Sequence, residues 1–292
     1  MAALPPSSEA AAPAAQGVAL GAPRWLQAAA HFARKKPLGA SGAALILVMA
    51  LTALLADLLA PHDPLANDFL AMFRPPGAPY WLGTDSFGRD VLSRLIYGSR
   101  TALLVGFTAS FAGATLGAII GVASAYFGGK TDLTVQRLMD IVLSFPILIL
   151  ALAVVSVLGT GTVNVILAIA VSMVPRAARV VRSSALAIRE TPYVDAARAL
   201  GFRPRRIIFR HMLPNVMAPY LIMLTALSFL GLGVAEPTAA WGLMLRGGAA
   251  EFAERAPWMA IFPGLAISAA VFGFNLFGDS LRDVLDPKLR TL

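Results

Sequence analysis

The 292-residue chain contains no cysteine, and its three histidines, His31, His62 and His211, stand far apart in the sequence. Without cysteine there are no disulfides, no iron–sulfur clusters and no thiolate metal sites. The histidines also lack the close spacing that is typical of metal ligands. Thiol chemistry is therefore excluded, and no residue is predicted to bind a metal or to act as a catalytic group.

Charged residues are scarce. Only 14% of the chain is charged and 58% is apolar, with a mean hydropathy of +0.72. This composition is too apolar for one soluble domain and is typical of a protein that crosses a bilayer several times. Apolar runs of about 20 residues match a hydrocarbon core of about 30 Å. They predict six membrane-spanning helices, at 38–60, 102–127, 138–158, 163–181, 216–234 and 257–277.

The net charge of +8 has a topological explanation. Segments that stay in the cytoplasm are enriched in Lys and Arg. With the N-terminus inside, the inside segments hold 18 of the 24 basic residues, and these segments are 1–37, 128–137, 182–215 and 278–292, together with Arg176 and Arg179. The outside segments, 61–101 and 235–256, hold the remaining six. We therefore predict that both termini are cytoplasmic and that nucleic acid is not a partner.

The chain also lacks the residues that would power transport. It has no GxxxxGK[ST] phosphate loop, so it is not expected to bind ATP by that route. Ionisable residues inside the predicted spans are few, and Asp57 and Asp140 lie near span ends. An ion-coupled carrier usually needs buried charges near the membrane midplane. The Ser, His and Asp residues do not group together on one side of the membrane as a catalytic nucleophile with its base would require. Energy for any pumping must therefore come from another chain.

Composition also divides the chain. Residues 1–33 are predicted to be a disordered cytoplasmic tail, because the stretch 1–23 is rich in Ala and Pro. The apolar run after Arg34, Lys35 and Lys36 is too long for a signal peptide, so residues 34–100 are predicted to hold a retained first helix and an extracytoplasmic segment. The remaining residues, 101–292, are predicted to form a five-helix core with a cytoplasmic loop at 182–214.

Glycines recur every four residues in the second predicted span, at Gly113, Gly117 and Gly121. A stripe of small residues lets membrane helices approach closely, because packing rather than hydrophobicity drives their association. The stripe predicts a packing surface, either within one subunit or between subunits. A second cluster, Asp85, Arg89 and Asp90, has two interpretations, a carboxylate metal site or the bracing of a loop and a helix start. We favour bracing.

The loop 182–214 carries seven arginines, and it also has residues typical of the starts and ends of two short helices. Thr191 can cap a helix that begins at Pro192, with Asp195 in its first turns. Gly201 can end this helix in a left-handed conformation, and Pro204 can begin the next. Val194, Ala197 and Leu200 would share one face. A helix this short is marginal alone in water, so it is expected to rest on lipid, on the other spans or on a partner protein.

The residues of this loop resemble the EAA loop of ABC-importer permeases, EAA-x3-G-x9-I-x-LP. Asp195-Ala196-Ala197, Gly201 and Leu213-Pro214 stand at the required spacing, with Asp195 in place of Glu and His211 in place of Ile. Further motifs are similar to permeases for dipeptides, oligopeptides and nickel, in particular to the second of their two permeases. They are Trp81 to Asp85, Gly88 to Asp90, Ser93 to Gly98, Phe127 to Gly129 with Asp132, and the stretches 228–233, 263–264 and 278–287.

The resemblance implies an all-α, six-helix permease of the type I ABC-importer kind in the bacterial inner membrane. It implies a complex with a second homologous permease, two ATPase subunits that bind ATP and Mg, and an extracytoplasmic solute-binding protein. It also implies coupling of this chain to the ATPase through Leu200 and the six motif residues Asp195, Ala196, Ala197, Gly201, Leu213 and Pro214. Membrane lipid is a further partner.

The resemblance leaves alternatives open. An exporter or a sensing complex can be built on the same fold, and a secondary transporter or channel is the candidate from another class. Permeases for several solutes share these motifs, and a di- or oligopeptide is the predicted substrate. One departure concerns the fifth predicted span, 216–234, where the family usually has roughly ten more residues. The pathway-lining residues are therefore not predicted.

Overall fold

A computed structural model describes residues 24–159, 161–217, 219–220 and 236–285. Within these ranges the protein is helical and has no β-strand, as expected for an all-α protein. The α-helices are α1 (Arg24–Lys35), α2 (Pro37–Leu54), α3 (Ala56–Leu59), α4 (Val91–Phe127), α5 (Gly129–Leu143), α6 (Ile147–Leu158), α7 (Thr162–Arg189), α8 (Pro192–Ala199), α9 (Pro204–Arg206), α10 (Trp241–Glu251) and α11 (Trp258–Leu285). Two 3₁₀ helices (Phe69–Ala71 and Leu213–Val216) and a π-helix (Ile207–Met212) are also present.

The chain divides into two compact units, Met1–Pro37 and Leu38–Leu292. In the first unit, α1 occupies residues that the sequence placed in a disordered tail, so that prediction was wrong for 24–33. The local reason is composition, because Gln, Arg, Lys and repeated Ala favour helix over coil. Residues 1–23 lie outside the described ranges.

Four helices of the described chain are long and apolar enough to cross a membrane, namely α2, α4, α7 and α11. They correspond to the first, second, fourth and sixth predicted spans. Two of them extend beyond the apolar runs, because α4 begins at Val91 and α7 continues to Arg189. The first part of the predicted polar loop, 182–189, is therefore the end of a long helix.

The third predicted span, 138–158, is not one helix. It is divided between the last turn of α5 and the whole of α6, with Ser144, Phe145 and Pro146 between them. Proline has no N–H to donate and disfavours helical geometry in the residue before it, so the chain breaks here. With 12 residues, α6 spans about 18 Å. The fifth predicted span, 216–234, lies almost entirely outside the described residues, as does the motif at 228–233.

Helices α4 and α7 form the centre of the second unit. They run in the same direction, because Gly113 lies opposite Ala170 and Gly121 lies opposite Ala178. All three glycines of the stripe face α7 of the same chain. A Cβ atom built at Gly113 would lie 2.8 Å from the carbonyl oxygen of Ala170, and one at Gly117 would lie 2.5 Å from the Cβ of Ala177. The stripe thus allows the two backbones to approach closely.

The remaining long helices pack beside this pair. Helix α2 runs antiparallel to α11, with Gly42 against Gly273 and Met49 near Ala270. The indole of Trp241, at the start of α10, lies on Gly98 of α4 and donates a hydrogen bond of 2.8 Å to the carbonyl of Leu95. These contacts anchor α10 and α11 at the end of the unit where α4 begins. The other end, where α4 terminates and α8 lies, is called the α8 end.

Candidate functional site

The segment 191–214 at the α8 end has the helix–turn–helix punctuation that its sequence predicts. Pro192 is the first residue of α8, and Pro204 is the first residue of α9. Thr191 occupies the cap position, but its hydroxyl donates to the carbonyl of Ile188 and makes no capping hydrogen bond. The expected side-chain cap is therefore absent, because the end of α7 competes for the same hydroxyl. The helix has eight residues.

Gly201 ends α8 in the left-handed conformation that was predicted, with φ of 72°. Its N–H donates to the carbonyl of Arg198 at 2.9 Å, and the N–H of Phe202 donates to Ala197 at 3.1 Å. This pair of bonds is the Schellman motif, which satisfies carbonyls that the helix end would leave free. The turn reverses the chain sharply and returns it to the end of the helix bundle.

One face of α8 is buried. Val194 is 0% exposed and Ala197 is 3% exposed, and both join a cluster formed by the ends of α4 and α7 and by the π-helix. Leu200 was expected on the same face, but it is 73% exposed. It lies at the C-cap, where the backbone has left the helix and turned the side chain away. Two residues of α8, Val194 and Ala197, therefore anchor it to the rest of the bundle.

The opposite face of α8 is exposed, although the Tyr193 hydroxyl donates a hydrogen bond of 3.4 Å to the carbonyl of His211. We call this face the coupling surface and define it by five exposed residues, Tyr193, Asp195, Ala196, Leu200 and Gly201. Asp195 accepts a hydrogen bond of 3.0 Å from Arg198, whose guanidinium lies 5.3 Å from the ring centre of Tyr126 on α4. The surface therefore combines a large exposed leucine and a tyrosine with one carboxylate.

The π-helix packs against the buried face of α8. Its residues Ile207, Ile208 and Met212 are buried in the same cluster as Val194. His211, which replaces the Ile of the EAA pattern, stacks on Phe202 with ring centres 5.9 Å apart. Its Nε2 is buried without a hydrogen-bond partner in the described chain. Of the last two motif residues, Leu213 packs against the cluster and Pro214 is exposed.

An ion pair that the sequence did not identify holds the foundation of this site together. Arg182 on α7 donates to both carboxylate oxygens of Asp132 on α5, and the hydroxyl of Ser124 on α4 donates to the same carboxylate. The hydrogen bonds from Arg182 are the main cause of a lowered pKa at Asp132. Arg189 adds a bond of 3.0 Å to the carbonyl of Ala125. From the sequence, these arginines indicated only that the segment lies on the cytoplasmic side of the membrane.

The far end of the unit carries the second cluster of charges. Asp85 accepts hydrogen bonds from the backbone of Phe87 and Arg89 and from the Arg89 guanidinium, while Asp90 caps α4 through Ser93. Buried Arg94 donates to the carbonyls of Pro64 and Pro237, at 3.0 and 3.3 Å. No group of three or more acidic or histidine side chains in the described ranges is placed to hold a metal ion. The cluster braces a loop and a helix start.

A cavity of about 700 Å³ opens beside this cluster. Its lining includes Asp57 and Arg100, whose side chains pair at 2.9 Å, and Tyr97, which donates to Asp57 at 2.6 Å. Residues 237–239 close the other side. The sequence did not predict this cavity, because its walls come from segments more than 130 residues apart.

Comparison with known proteins matches two families. Residues 113–291 match the family described as binding-protein-dependent transport system inner membrane component. Residues 24–76 match the N-terminal TM domain of oligopeptide transport permease C. The two matches cover most of the chain and include both the coupling surface and the segment before α4.

Individual relatives agree. A putative peptide transport system permease protein of Brucella suis is 42% identical over 260 residues, which cover 85% of this chain and 87% of the relative. A dipeptide transport system permease protein of Alkalihalophilus pseudofirmus is 39% identical and covers 88% of both chains. A glutathione transport system permease protein of Pectobacterium atrosepticum is 36% identical over 91% of this chain and 92% of the relative.

Proposed function

The chain belongs to the family of binding-protein-dependent transport system inner membrane components, and on that premise we propose that it is the permease subunit of an ATP-driven importer of di- or oligopeptides. The relatives named for peptide, dipeptide and glutathione transport support this substrate class. The chain is a transport subunit rather than an enzyme, and a separate ATPase subunit hydrolyses ATP. A family defined by dependence on a binding protein favours import over export.

The proposed topology has six membrane-spanning helices with both termini in the cytoplasm. Helices α4 and α7 are parallel, so the chain must cross back between them, and α5 with α6 provides that return. With the α8 end in the cytoplasm, the arginines of 182–210 lie inside, in agreement with the positive-inside rule. The predicted span 216–234 is proposed as the fifth crossing.

The coupling surface is proposed to dock in a groove on the ATPase subunit. The observation that carries this is the two-sided character of α8, with Val194 and Ala197 buried against α4 and α7 while Asp195, Ala196 and Leu200 are exposed. Because α8 is anchored on the ends of both central helices, a displacement of α8 is transmitted to them as a rigid body. Leu213 packs against the same cluster and holds the returning segment of the chain there, while Pro214 is exposed.

The complete assembly is proposed to contain a second homologous permease, two ATPase subunits and an extracytoplasmic solute-binding protein. ATP and Mg are proposed to bind to the ATPase subunits rather than to this chain. The segments 61–101 and 235–256 are proposed to face the binding protein. Within them, residues 61–65, 97, 100–101 and 237–239 line the 700 Å³ cavity. Membrane lipid surrounds the exposed apolar side chains of the long helices.

The proposed function is tested by reconstitution. The complex of this chain with its partner permease, ATPases and binding protein is placed in vesicles, and the accumulation of radiolabelled alanine peptides of two to five residues is measured with and without ATP. ATP-dependent uptake that also requires the binding protein is the expected result. Uptake that is driven by an ion gradient without ATP would contradict the proposal.

The docking surface is tested by replacing Leu200 with Asp. Removal of an apolar contact at the centre of an interface should weaken ATPase binding by at least about tenfold, or about 1.4 kcal/mol. The readout is co-purification of the ATPase subunits. Leu70→Asp is the matched control, because Leu70 is 94% exposed but lies at the far end of the unit. Equal retention of ATPase by both variants would refute the docking role.

A further inference from the structure

Helix α7 presents three arginines at intervals of three residues, Arg176, Arg179 and Arg182. Side chains at this spacing lie along one side of a helix. Two of the three hold carboxylates of α5, because Arg182 pairs with Asp132 and Arg179 pairs with Asp140. Two of the three arginines on this side of α7 are therefore paired, and both of their partners are carboxylates of the antiparallel helix α5.

The third position has no such ligand. In the part of the chain that the structure describes, the Arg176 guanidinium makes no hydrogen bond and no ion pair. The reason lies in α5, which ends at Leu143 before the break at Pro146, so that this helix has no further residue to offer. Arg176 lies six residues before Arg182, or about 9 Å deeper along the helix axis.

Arg176 instead faces a cavity of about 300 Å³. The walls are the end of α5, the break, the first turn of α6 and three neighbours on α7, namely Ser172, Met173 and Ala177. Ser172 already donates to the carbonyl of Ala168 at 2.8 Å. The other described lining residues are apolar, so Arg176 supplies the charge of this cavity.

The Arg176 side chain is exposed on the surface of this chain beside the apolar walls of the cavity, and it belongs to a helix long and apolar enough to cross the membrane. A guanidinium within such a helix is costly unless an anion joins it. Its planar donors match a carboxylate at two points, as Arg182 does with Asp132. The first turn of α6 also lines the cavity, through Ile147 and Leu150, and the N-terminus of a helix carries partial positive charge. The cavity also has the size of a small ligand pocket.

We propose that Arg176 binds a carboxylate of the transported solute, the terminal carboxylate of a short peptide, as it passes the break between α5 and α6. This inference rests on the proposed function, since it assigns a group of that same substrate to a residue. The phosphate of an anionic phospholipid has similar oxygen chemistry and is the competing occupant. The experiment separates the two.

The experiment uses the reconstituted complex and the alanine peptide that the wild-type complex accumulates. Arg176→Gln should lower the initial rate of uptake by about tenfold, because a charged hydrogen-bonded pair is lost, and Arg176→Lys should retain part of the rate. Arg137→Gln is the matched control, since Arg137 is an exposed arginine on α5 that does not line the cavity. It should transport at the wild-type rate.

A chemical rescue distinguishes charge from packing. Since this chain has no cysteine, Arg176→Cys creates a single thiol in it. Attachment of an aminoethyl group through a methanethiosulfonate reagent should restore uptake, and attachment of a sulfonatoethyl group should not. The wild-type complex receives the same reagents, which accounts for cysteines of the other subunits. All variants are assayed in vesicles of phosphatidylcholine alone and in vesicles that also contain phosphatidylglycerol.

Each other outcome overturns the inference. If Arg176→Gln transports like the wild type, the carboxylate is not held there. If Gln and Lys variants fail equally and the aminoethyl group does not restore uptake, Arg176 has only a packing role. If the defect appears only with phosphatidylglycerol, the occupant is a lipid phosphate. Failure of the wild-type complex to accumulate any peptide would instead overturn the proposed function itself.

Discussion

Arg182 and Asp132 are joined through two hydrogen bonds, one of them 2.6 Å long from Nε, although fifty residues separate them in the sequence. The pair ties α7 to α5 at the α8 end, and Ser124 adds α4 to the same carboxylate. Three helices therefore meet at one anion. The coupling surface rests on the ends of two of them, so its position depends on this junction.

Replacement of Asp132 with Asn should destabilise the protein by about 2 kcal/mol, because the partly buried guanidinium of Arg182 loses its charged partner. Asp140→Asn is the control, since its pair with Arg179 is more exposed and should be worth less than about 1 kcal/mol. Thermal unfolding of the purified complex in detergent measures both. Equal losses would show that burial does not matter at this junction.

The same pair predicts a pH dependence. The pKa of Asp132 is lowered, chiefly by the hydrogen bonds from Arg182, relative to its ordinary value of 3.8. A lowered pKa gives stability that is fully present above pH 3.8 and is lost as the pH falls through the lowered value. The difference in unfolding midpoint between wild type and Asp132→Asn should therefore be constant from pH 7 to 5 and shrink below pH 4. A difference that grows on acidification would contradict this assignment.

Replacement of Gly117 with Val should separate α4 from α7. The added atoms would overlap Ala177 and the backbone at Val174, and overpacking of this kind costs about 1–3 kcal/mol or more. Gly247→Ala is the matched control, because a Cβ there meets nothing within 4 Å and helix propensity favours Ala by about 1 kcal/mol. Loss of folded protein with the first variant and retention with the second is expected from fluorescence-detected size-exclusion chromatography.

Gly201 is required for its backbone conformation rather than for space. A Cβ at this position meets no atom within 4 Å, but the φ of 72° is unfavourable for an L-residue. Gly201→Ala should therefore destabilise the folded turn after α8 by about 1–2 kcal/mol, and Gly201→Asn should destabilise it by less, since Asn tolerates the left-handed region. Peptide-stimulated ATPase activity of the assembled complex is the readout. If Ala and Asn behave alike, the left-handed turn is not the reason for the glycine.

His211→Ile should stabilise the protein by about 1 kcal/mol. The imidazole Nε2 is buried without a partner in the described chain, and an unsatisfied buried polar atom costs about 1–3 kcal/mol. Ile restores the EAA pattern but loses the stacking on Phe202, so the gain is smaller than the full cost. Thermal unfolding of the complex measures the change. A lower midpoint would mean that the stacked ring contributes more than its unpaired nitrogen costs.

Local signals predicted α8 well. Pro192, Gly201 and Pro204 each impose a backbone conformation through their own covalent structure, so their effect does not depend on distant residues. The break at Pro146 carried a signal of the same kind, but the apolar run on both sides led to one predicted span. Hydropathy averages over a window and does not register a single missing N–H.

Other features have no local signal. The exposure of Leu200 follows from where the chain turns after Ala199, and the periodicity of α8 predicted the opposite. The glycine stripe predicted a packing surface, but its partner, α7, could be found only by bringing residues about 57 positions apart together. The same is true of Arg182 and Asp132, whose residue types were visible while their pairing was not.

The sequence by itself determined the class of the protein, because apolar runs, basic loops and turn residues act through composition and local geometry. It also determined the spacing of the coupling segment. Only the tertiary structure decided which side of α8 is anchored, which arginines of α7 have partners and where Arg176 faces a cavity. Those outcomes depend on contacts between helices that lie far apart in the chain, and such contacts are set by packing in three dimensions.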